Sequence, residues 1–438
     1  MIETICALAT PPARAALALI RISGPSARFV IEAMSGQRMS HRHPLLSILK
    51  RPDGAIVDEA VATFFQGPNS YTGEDLVEIT CHGNPIIVEE IIREIVSRET
   101  VRPAEAGEFT RRALANGKLA LDQVEALDLV LNGTSRRTIE FGLKAKMEGL
   151  AGSVADVSER LLDLLTQVES QLDFSDEEVG TRDSKALAAR ARALSEELAR
   201  WAGAFSAYKH LFQSWTVCLA GPANVGKSTL FNKITQTSKA IVYETPGTTR
   251  DPIEHVVDWN GFPILFIDTA GVRVSDDPVE NLGVERAMLA IKRADIVLWI
   301  DDRGNPPPPV VKEVLAKKRW LPVRSKADLN IAGDLGDCLA VSAHSGAGLE
   351  RLHRAVLPEE APLDGIPHRP LFSERQYQLI SLAADDLKKA ADLMDGGEYL
   401  DLCGEHIRSA ASRAQELTGP LPTDRILKEI FARFCIGK

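Results

Sequence analysis

Gly221-Pro222-Ala223-Asn224-Val225-Gly226-Lys227-Ser228 is the stretch that decides the reading of this chain. It fits G-x-x-x-x-G-K-[ST], follows the apolar run Trp215–Ala220 and precedes a helix expected over Thr229–Ile234. That strand–loop–helix setting is what a P-loop requires. Glycines let successive N–H groups curl around phosphate oxygens at the positive end of a helix. Lys227 brings a point charge to the β- and γ-phosphates, and the Ser228 hydroxyl can ligate Mg²⁺.

The elements downstream arrive in the order a guanine-nucleotide site needs. Tyr243-Glu244-Thr245-Pro246-Gly247-Thr248-Thr249 supplies a switch loop whose Thr249 can close on Mg²⁺ and the γ-phosphate. Asp268-Thr269-Ala270-Gly271, directly after the apolar run Ile264–Ile267, supplies a carboxylate behind Mg²⁺ and a flexible glycine. Ser325-Lys326-Ala327-Asp328 resembles the guanine-reading N-K-x-D, in which the Asp accepts from the guanine N1–H and exocyclic amine. Ser342-Ala343-His344 resembles the S-A-x loop that backs the base with main-chain N–H groups. Each signal is weak alone; together and in order they specify a GTPase. Ser325 departs from the pattern, since an asparagine amide there would contact the base and brace the P-loop. Its loss predicts GTP over ATP with somewhat weakened affinity, a neutral hydrogen bond being worth about 1 kcal/mol. Val272 stands where small signalling GTPases carry a water-orienting Gln and cannot do that work. Glu280 is either the polar group that replaces it or an acidic residue near a helix start.

Around this unit the texture changes twice. Residues 1–117 mix short strands (Ala16–Ile22, Ala60–Phe65, Leu76–Cys81) with turn signals and a helix over Ile86–Ser97, an α/β domain. Residues 118–212 carry helical stripes, first Val154, Val157, Leu161, Leu165, Val168 and Leu172, then Leu187, Ala191, Leu194, Leu198, Trp201, Phe205 and Tyr208. Those two helices are expected to pack as an antiparallel pair. Residues 213–357 alternate strand and helix, and the continuous apolar runs Trp215–Ala220 and Ile296–Ile300 suit strands covered on both faces. From 358 to 438 the helical stripe returns with Tyr377, Ile380, Ala384, Leu387 and Ala391, so the P-loop unit reads as an insertion in a helical domain. The fold class expected is therefore α/β plus all-α: an N-terminal α/β domain, a helical domain and an inserted Ras-like P-loop GTPase domain.

Composition narrows the class. With 45% apolar and 26% charged residues the chain is globular rather than disordered. A net charge of 51 − 61 = −10 argues against coating nucleic acid by bulk charge, though not against a local basic site. Six scattered cysteines without a CxxC pair support neither a disulfide framework nor a zinc site. No apolar run reaches the roughly 18 residues of a membrane span, and the expected location is cytoplasmic.

Over the whole chain the sequence resembles the TrmE (MnmE) family of tRNA modification GTPases. The resemblance rests on Ala7–Pro12, Ile20–Gly24, Pro68–Asp75, Gly107–Ala113 and the terminal Phe434-Cys435-Ile436-Gly437-Lys438. It implies an N-terminal domain that dimerises and binds a formyl-tetrahydrofolate, with Arg21, Glu78, Lys118 and Lys438 at the folate. It also implies a homodimer that joins an FAD-dependent MnmG-like subunit in a heterotetramer and acts on tRNA. Together they would add an aminomethyl or carboxymethylaminomethyl group to C5 of the wobble uridine. K⁺ would be held by Asn224, Tyr243, Thr245 and Thr248, doing the work an arginine finger does elsewhere. Glu280 would then orient the attacking water. Cys435 is either a small buried hydrophobe or a chemical participant near the folate. The segment from Arg408 to Lys438 has six basic and three acidic residues, which suits either tRNA phosphate or a solvated helix face. The rival readings are an RNA-binding or ribosome-assembly GTPase switch and a dimer scaffold with a degenerate nucleotide site.

Overall fold

The structure is a computed structural model. It describes residues 3–98, 100–173, 184–209, 214–237, 253–259, 261–269, 287–329, 338–357, 370–396, 400–419, 431, 434 and 437. The chain forms two compact units, one from residues 1–128, 146–163 and 411–438, the other from 129–145 and 164–410.

The first unit is built on a six-stranded sheet. Its strands are β1 (Thr4–Leu8), β2 (Leu17–Ser23), β3 (Leu45–Lys50), β4 (Ile56–Phe65), β5 (Leu76–His82) and β6 (Val101–Pro103), in the order β3-β4-β5-β2-β1-β6. Only the β1–β6 pair is parallel. Alternation decides the faces: Ala18, Ile20 and Ile22 of β2 are buried with Val30, Ile31, Val88 and Ile91 of the helices α1 (Ala27–Ser35) and α2 (Pro85–Val96). Asn84 caps α2, its side chain accepting the Ile86 N–H at 3.0 Å, and Pro85 fills the first turn where no donor is needed. On the opposite face Leu46, Val61, Thr80 and Leu19 align in one register row across four strands. Leu46 is 60% exposed and Val61 38%, so this end of the row is uncovered among the described residues.

After β6 come α3 (Glu108–Ala115), α4 (Leu121–Asn132), α5 (Arg136–Glu148) and α6 (Ala151–Asp173). Asp122 of α4 accepts the Leu150 N–H at 2.5 Å, fixing the entry to α6. Near the chain end, a Cβ on Gly437 would collide with the Leu8 carbonyl, so Gly437 lies flush against the end of β1. Phe431 covers Gly107 just before α3.

Glu108 ties this corner together. It is 1% exposed, and accepts from Arg102 at 2.7 and 2.8 Å, Arg112 at 3.0 Å and the Glu105 N–H at 2.9 Å. Burial alone would raise its pKa; the two guanidinium groups and the N–H outweigh it and hold the carboxyl at about 2. The stability from this shift is present above about pH 4.5, the ordinary value, and is lost as pH falls towards 2; it amounts to roughly 3 kcal/mol. Glu108→Gln should lower the opening free energy of residues 101–115 by about that amount at pH 7 and abolish its acid dependence, as read by hydrogen exchange. Wild-type protection in the variant would refute the assignment.

The second unit contains another six-stranded sheet, ordered β12-β11-β10-β7-β9-β8. The strands are β7 (Trp215–Ala220), β8 (Ile253–Trp259), β9 (Phe262–Asp268), β10 (Ile296–Asp301), β11 (Arg319–Arg324) and β12 (Leu339–Ala340). All pairs are parallel except the β8–β9 hairpin. One face is filled by Leu219, Leu230, Ile264, Phe266, Leu298 and Leu352, the other by Cys218, Ile267, Ile291, Val297, Trp299 and Leu315. Every residue of β10 is buried, which explains its continuous apolar run.

The helical part of this unit includes α7 (Ser184–Tyr208), followed after the sheet's α8 (Lys227–Thr237), α9 (Pro309–Leu315) and α10 (Leu349–Val356) by α11 (Glu374–Gly396) and α12 (Leu400–Gln415). The expected α6–α7 contact is represented by Arg190 donating to Gln167 at 2.7 Å. The long antiparallel partner of α7 is α11. Phe205 stacks on Tyr377 with centroids 5.3 Å apart, Ser195 donates to the Ala384 carbonyl at 2.7 Å, and Arg192 bonds Asp392 and Asp395 at 2.8 and 2.9 Å.

Candidate nucleotide and folate sites

The nucleotide motifs collect at the carboxyl edge of the second unit's sheet. β7 ends at Ala220 and the P-loop turns at once: a Cβ on Gly221 would collide with the Ile300 carbonyl of β10, so only glycine permits this approach. Asn224 at φ 65° and Gly226 at φ 93° curl the loop before α8 begins at Lys227. Lys227 is 6% exposed, and its Nζ donates to the carbonyls of Gly221 and Pro222 at 3.1 and 2.7 Å. Burial pulls its pKa down, and the Asp268 charge partly restores it. The ammonium is therefore aimed into the loop's own curl, where phosphate oxygens would sit.

Register brings Asp268 alongside, because β9 pairs with β7 so that Asp268 faces Leu219. Thr269, 4% exposed, fastens the following turn by donating its hydroxyl to the Leu219 carbonyl at 2.7 Å. Ser228 donates to Asp268 Oδ2 at 2.8 Å, while buried Asp268 Oδ1 has no hydrogen-bond partner among the described residues. Burial raises the Asp268 pKa against the opposing pull of Ser228 and Lys227. A hydroxyl beside an unsatisfied buried carboxylate oxygen is a hard oxygen donor set, and it fits Mg²⁺.

The base-reading loop follows β11. Lys326 donates to the Asn224 carbonyl and to Asp302 Oδ2, both at 2.9 Å. Asp302, which the sequence reading did not single out, holds Lys326 from its place just past β10. Asp328 is exposed, with Oδ1 accepting from the buried Ser342 hydroxyl at 2.6 Å. That bond, together with a backbone N–H, holds its carboxyl below the usual range and so keeps it an acceptor. The Ala343 and His344 N–H groups have no hydrogen-bond partner among the described residues.

Ser325 corrects one expectation. Its loss of an amide was expected to leave the P-loop unbraced. The structure instead has the 5%-exposed Ser325 donating its hydroxyl to the Val225 carbonyl at 2.5 Å. The Ser325 N–H is itself anchored to the Asp301 carbonyl at 3.1 Å, which holds this residue beside the P-loop.

Tyr243, Glu244, Thr245, Pro246, Gly247, Thr248, Thr249, Ala270, Gly271 and Glu280 lie outside the described residues. Of the four K⁺ ligands expected, only Asn224 is described; its exposed side chain has no partner among the described residues. A free amide oxygen there is compatible with K⁺.

In the first unit Arg21 and Glu78 are register partners on β2 and β5, bonded at 2.8 Å. The Arg21 guanidinium lies 5.4 Å from the Tyr71 ring centre, and Tyr71 bonds Thr110 at 2.8 Å. The Lys118 stem lies beside Gly73, two residues along the same loop from Tyr71. A cation, a carboxylate and a ring suit a pterin carrying a glutamate tail. Cys435 and Lys438 lie outside the described residues, although neighbouring Gly437 packs on Leu8 and Ala9.

A family profile described as "GTP-binding protein TrmE N-terminus" matches residues 4–118, and one described as "50S ribosome-binding GTPase" matches 216–326. The protein from Beijerinckia indica named tRNA modification GTPase MnmE is 37% identical over 100% of this chain and 96% of its own. Its namesake from Erythrobacter litoralis is 37% identical over 100% of both chains, and that from Bordetella parapertussis 35% identical over 99% of both.

Ser342→Ala should free the Asp328 carboxylate and weaken GDP binding about five- to tenfold, roughly 1 kcal/mol, with Asp328 intact. Titration with a fluorescent GDP analogue measures this, and unchanged affinity would show that Ser342 does not orient Asp328.

Proposed function

The chain belongs to the TrmE (MnmE) family of tRNA modification GTPases, and on that premise we propose that it is a K⁺-dependent GTP hydrolase acting with an FAD-dependent, MnmG-like subunit to add an aminomethyl or carboxymethylaminomethyl group to C5 of the wobble uridine of certain tRNAs. The observation that carries the nucleotide half is the pairing of Ser228 with Asp268 beside the buried Lys227, at the sheet edge where Asp328 also sits. Family membership over the whole chain carries the tRNA half.

Lys227 binds the β/γ-phosphate bridge region as a fixed cation, and the P-loop N–H groups cradle the remaining oxygens. Ser228 and Thr249 would hold Mg²⁺ with the Asp268 carboxylate behind them, and the ion would supply positive charge beside the β- and γ-phosphates. Asn224, with Tyr243, Thr245 and Thr248, would hold K⁺, which supplies further positive charge in place of an arginine finger. Glu280 orients the attacking water. Asp328 and the Ala343–His344 N–H groups select guanine.

The three-part division is carried into this reading: an N-terminal domain to residue 117, a helical domain from 118–212 and 358–438, and a GTPase domain over 213–357. The exposed Leu46–Val61 end of the first sheet's row supports homodimerisation through the N-terminal domain. Arg21, Glu78, Tyr71 and Lys118 support formyl-tetrahydrofolate binding, with Lys438 completing the site and Cys435 near it. The location proposed is cytoplasmic; among the described residues no helix is long and apolar enough to cross a membrane.

The rival reading, a ribosome-assembly or RNA-binding switch, draws on the description of the profile matching 216–326. Mass spectrometry of tRNA from a strain lacking this chain separates the two. C5-unmodified wobble uridines are expected there, and normal ones would refute a modification role. Glu280→Ala should bind GDP normally yet turn over GTP at least a hundredfold more slowly, a loss of about 2.7 kcal/mol or more. Undiminished turnover would remove Glu280 from the site.

A further inference from the structure

The base-reading loop holds two consecutive P-loop carbonyls. Lys326 takes the Asn224 carbonyl at 2.9 Å and Ser325 takes the Val225 carbonyl at 2.5 Å. A serine hydroxyl carries one proton. Here that proton is committed, in a side chain 5% exposed whose own N–H is tied to the Asp301 carbonyl.

This fixes what the loop can read. Guanine presents donors at N1–H and the exocyclic amine, and acceptors at O6 and N7. The donors suit the Asp328 carboxylate, oriented by Ser342. O6 is within the competence of the Ala343 and His344 N–H groups, which have no partner among the described residues. N7 needs a further donor. Ser325 has none left, and its remaining lone pairs would face another acceptor. The Lys326 ammonium is spread over the Asn224 carbonyl and Asp302.

We propose that Ser325 has given up reading the base in favour of bracing the P-loop, so that this site recognises guanine through its N1–H, exocyclic amine and O6 and is indifferent to N7. The inference rests on the proposed guanine site and names its specificity. Ser325 is a positioning residue for the phosphate loop. The absent amide then costs N7 recognition alone, and phosphate binding is preserved through Val225.

Competition against a fluorescent GDP analogue on the full chain tests this with GDP, 7-deaza-GDP (which lacks N7), inosine diphosphate (which lacks the amine) and ADP. Wild type should bind 7-deaza-GDP within threefold of GDP, and inosine diphosphate at least tenfold more weakly. Ser325→Asn should create a preference of threefold or more for GDP over 7-deaza-GDP. Ser325→Ala should weaken GDP and 7-deaza-GDP by the same factor, threefold or more, because the Val225 brace is lost for both. A wild-type preference of threefold or more for GDP over 7-deaza-GDP would overturn the proposal, as would a Ser325→Ala protein that binds GDP as wild type does. If ADP competes as well as GDP, the guanine reading itself fails instead. The wild-type comparison and Ser325→Ala decide the matter even if Ser325→Asn does not fold.

Discussion

Parallel strands β7, β9, β10 and β11 all end on one edge, and that shared direction is the constraint on which the nucleotide site depends. Parallel pairing gives these strands the same polarity, so the loops after their carboxyl ends converge. β7 delivers the P-loop, β9 delivers Asp268, β10 delivers Asp301 and Asp302, and β11 delivers Ser325 and Lys326. Burial on both faces fixes the register, and register fixes chemistry: sliding β9 against β7 would take Asp268 away from Ser228. A one-residue slip would also turn Phe266 out of its core.

Loops at such an edge are held by polar contacts rather than by packing, and here those contacts run from one loop to the next. Thr269 is fastened to the end of β7, Lys326 bridges the P-loop to Asp302, and Ser325 grips Val225. The phosphate-binding and base-reading halves are thereby bonded directly to each other, a form of the preorganisation that makes charge stabilisation effective. The first unit solves a different problem. Its mostly antiparallel sheet carries α1 and α2 on one face, while on the other Phe109 of α3 packs over Ile5, Ala7 and Leu76 and the Leu46–Val61 end stays exposed. A corner built on the buried Glu108 holds the region where the chain end returns to β1.

How much of this was legible in the sequence differs by element. The P-loop, Asp268 and Asp328 were legible because their residue types and spacing are demanded by phosphate, metal and guanine chemistry. The runs Trp215–Ala220 and Ile296–Ile300 were legible because strands buried on both faces must be apolar throughout. β8 was not, since its residues Ile253-Glu254-His255 begin an edge strand with no continuous apolar signal. The pairing of α7 with α11 was hidden by roughly 180 intervening residues, across which periodicity gives a buried face but no partner. Glu108 carried no signal of burial in the sequence, because its partner Arg102 comes from another element. At Ser325 the missing amide was visible and the direction of the hydroxyl was not, since only the fold brings Val225 within its reach.

The central claim is that this edge, completed by the switch residues, hydrolyses GTP with help from a monovalent cation held at Asn224. The most direct measurement is steady-state GTP hydrolysis by the full-length chain with Mg²⁺, in KCl and in NaCl at equal ionic strength, alongside GDP affinity in both salts. The account predicts turnover at least tenfold faster in K⁺, a difference of about 1.4 kcal/mol or more in the barrier, with GDP affinity the same in both. Equal turnover in the two salts would contradict it.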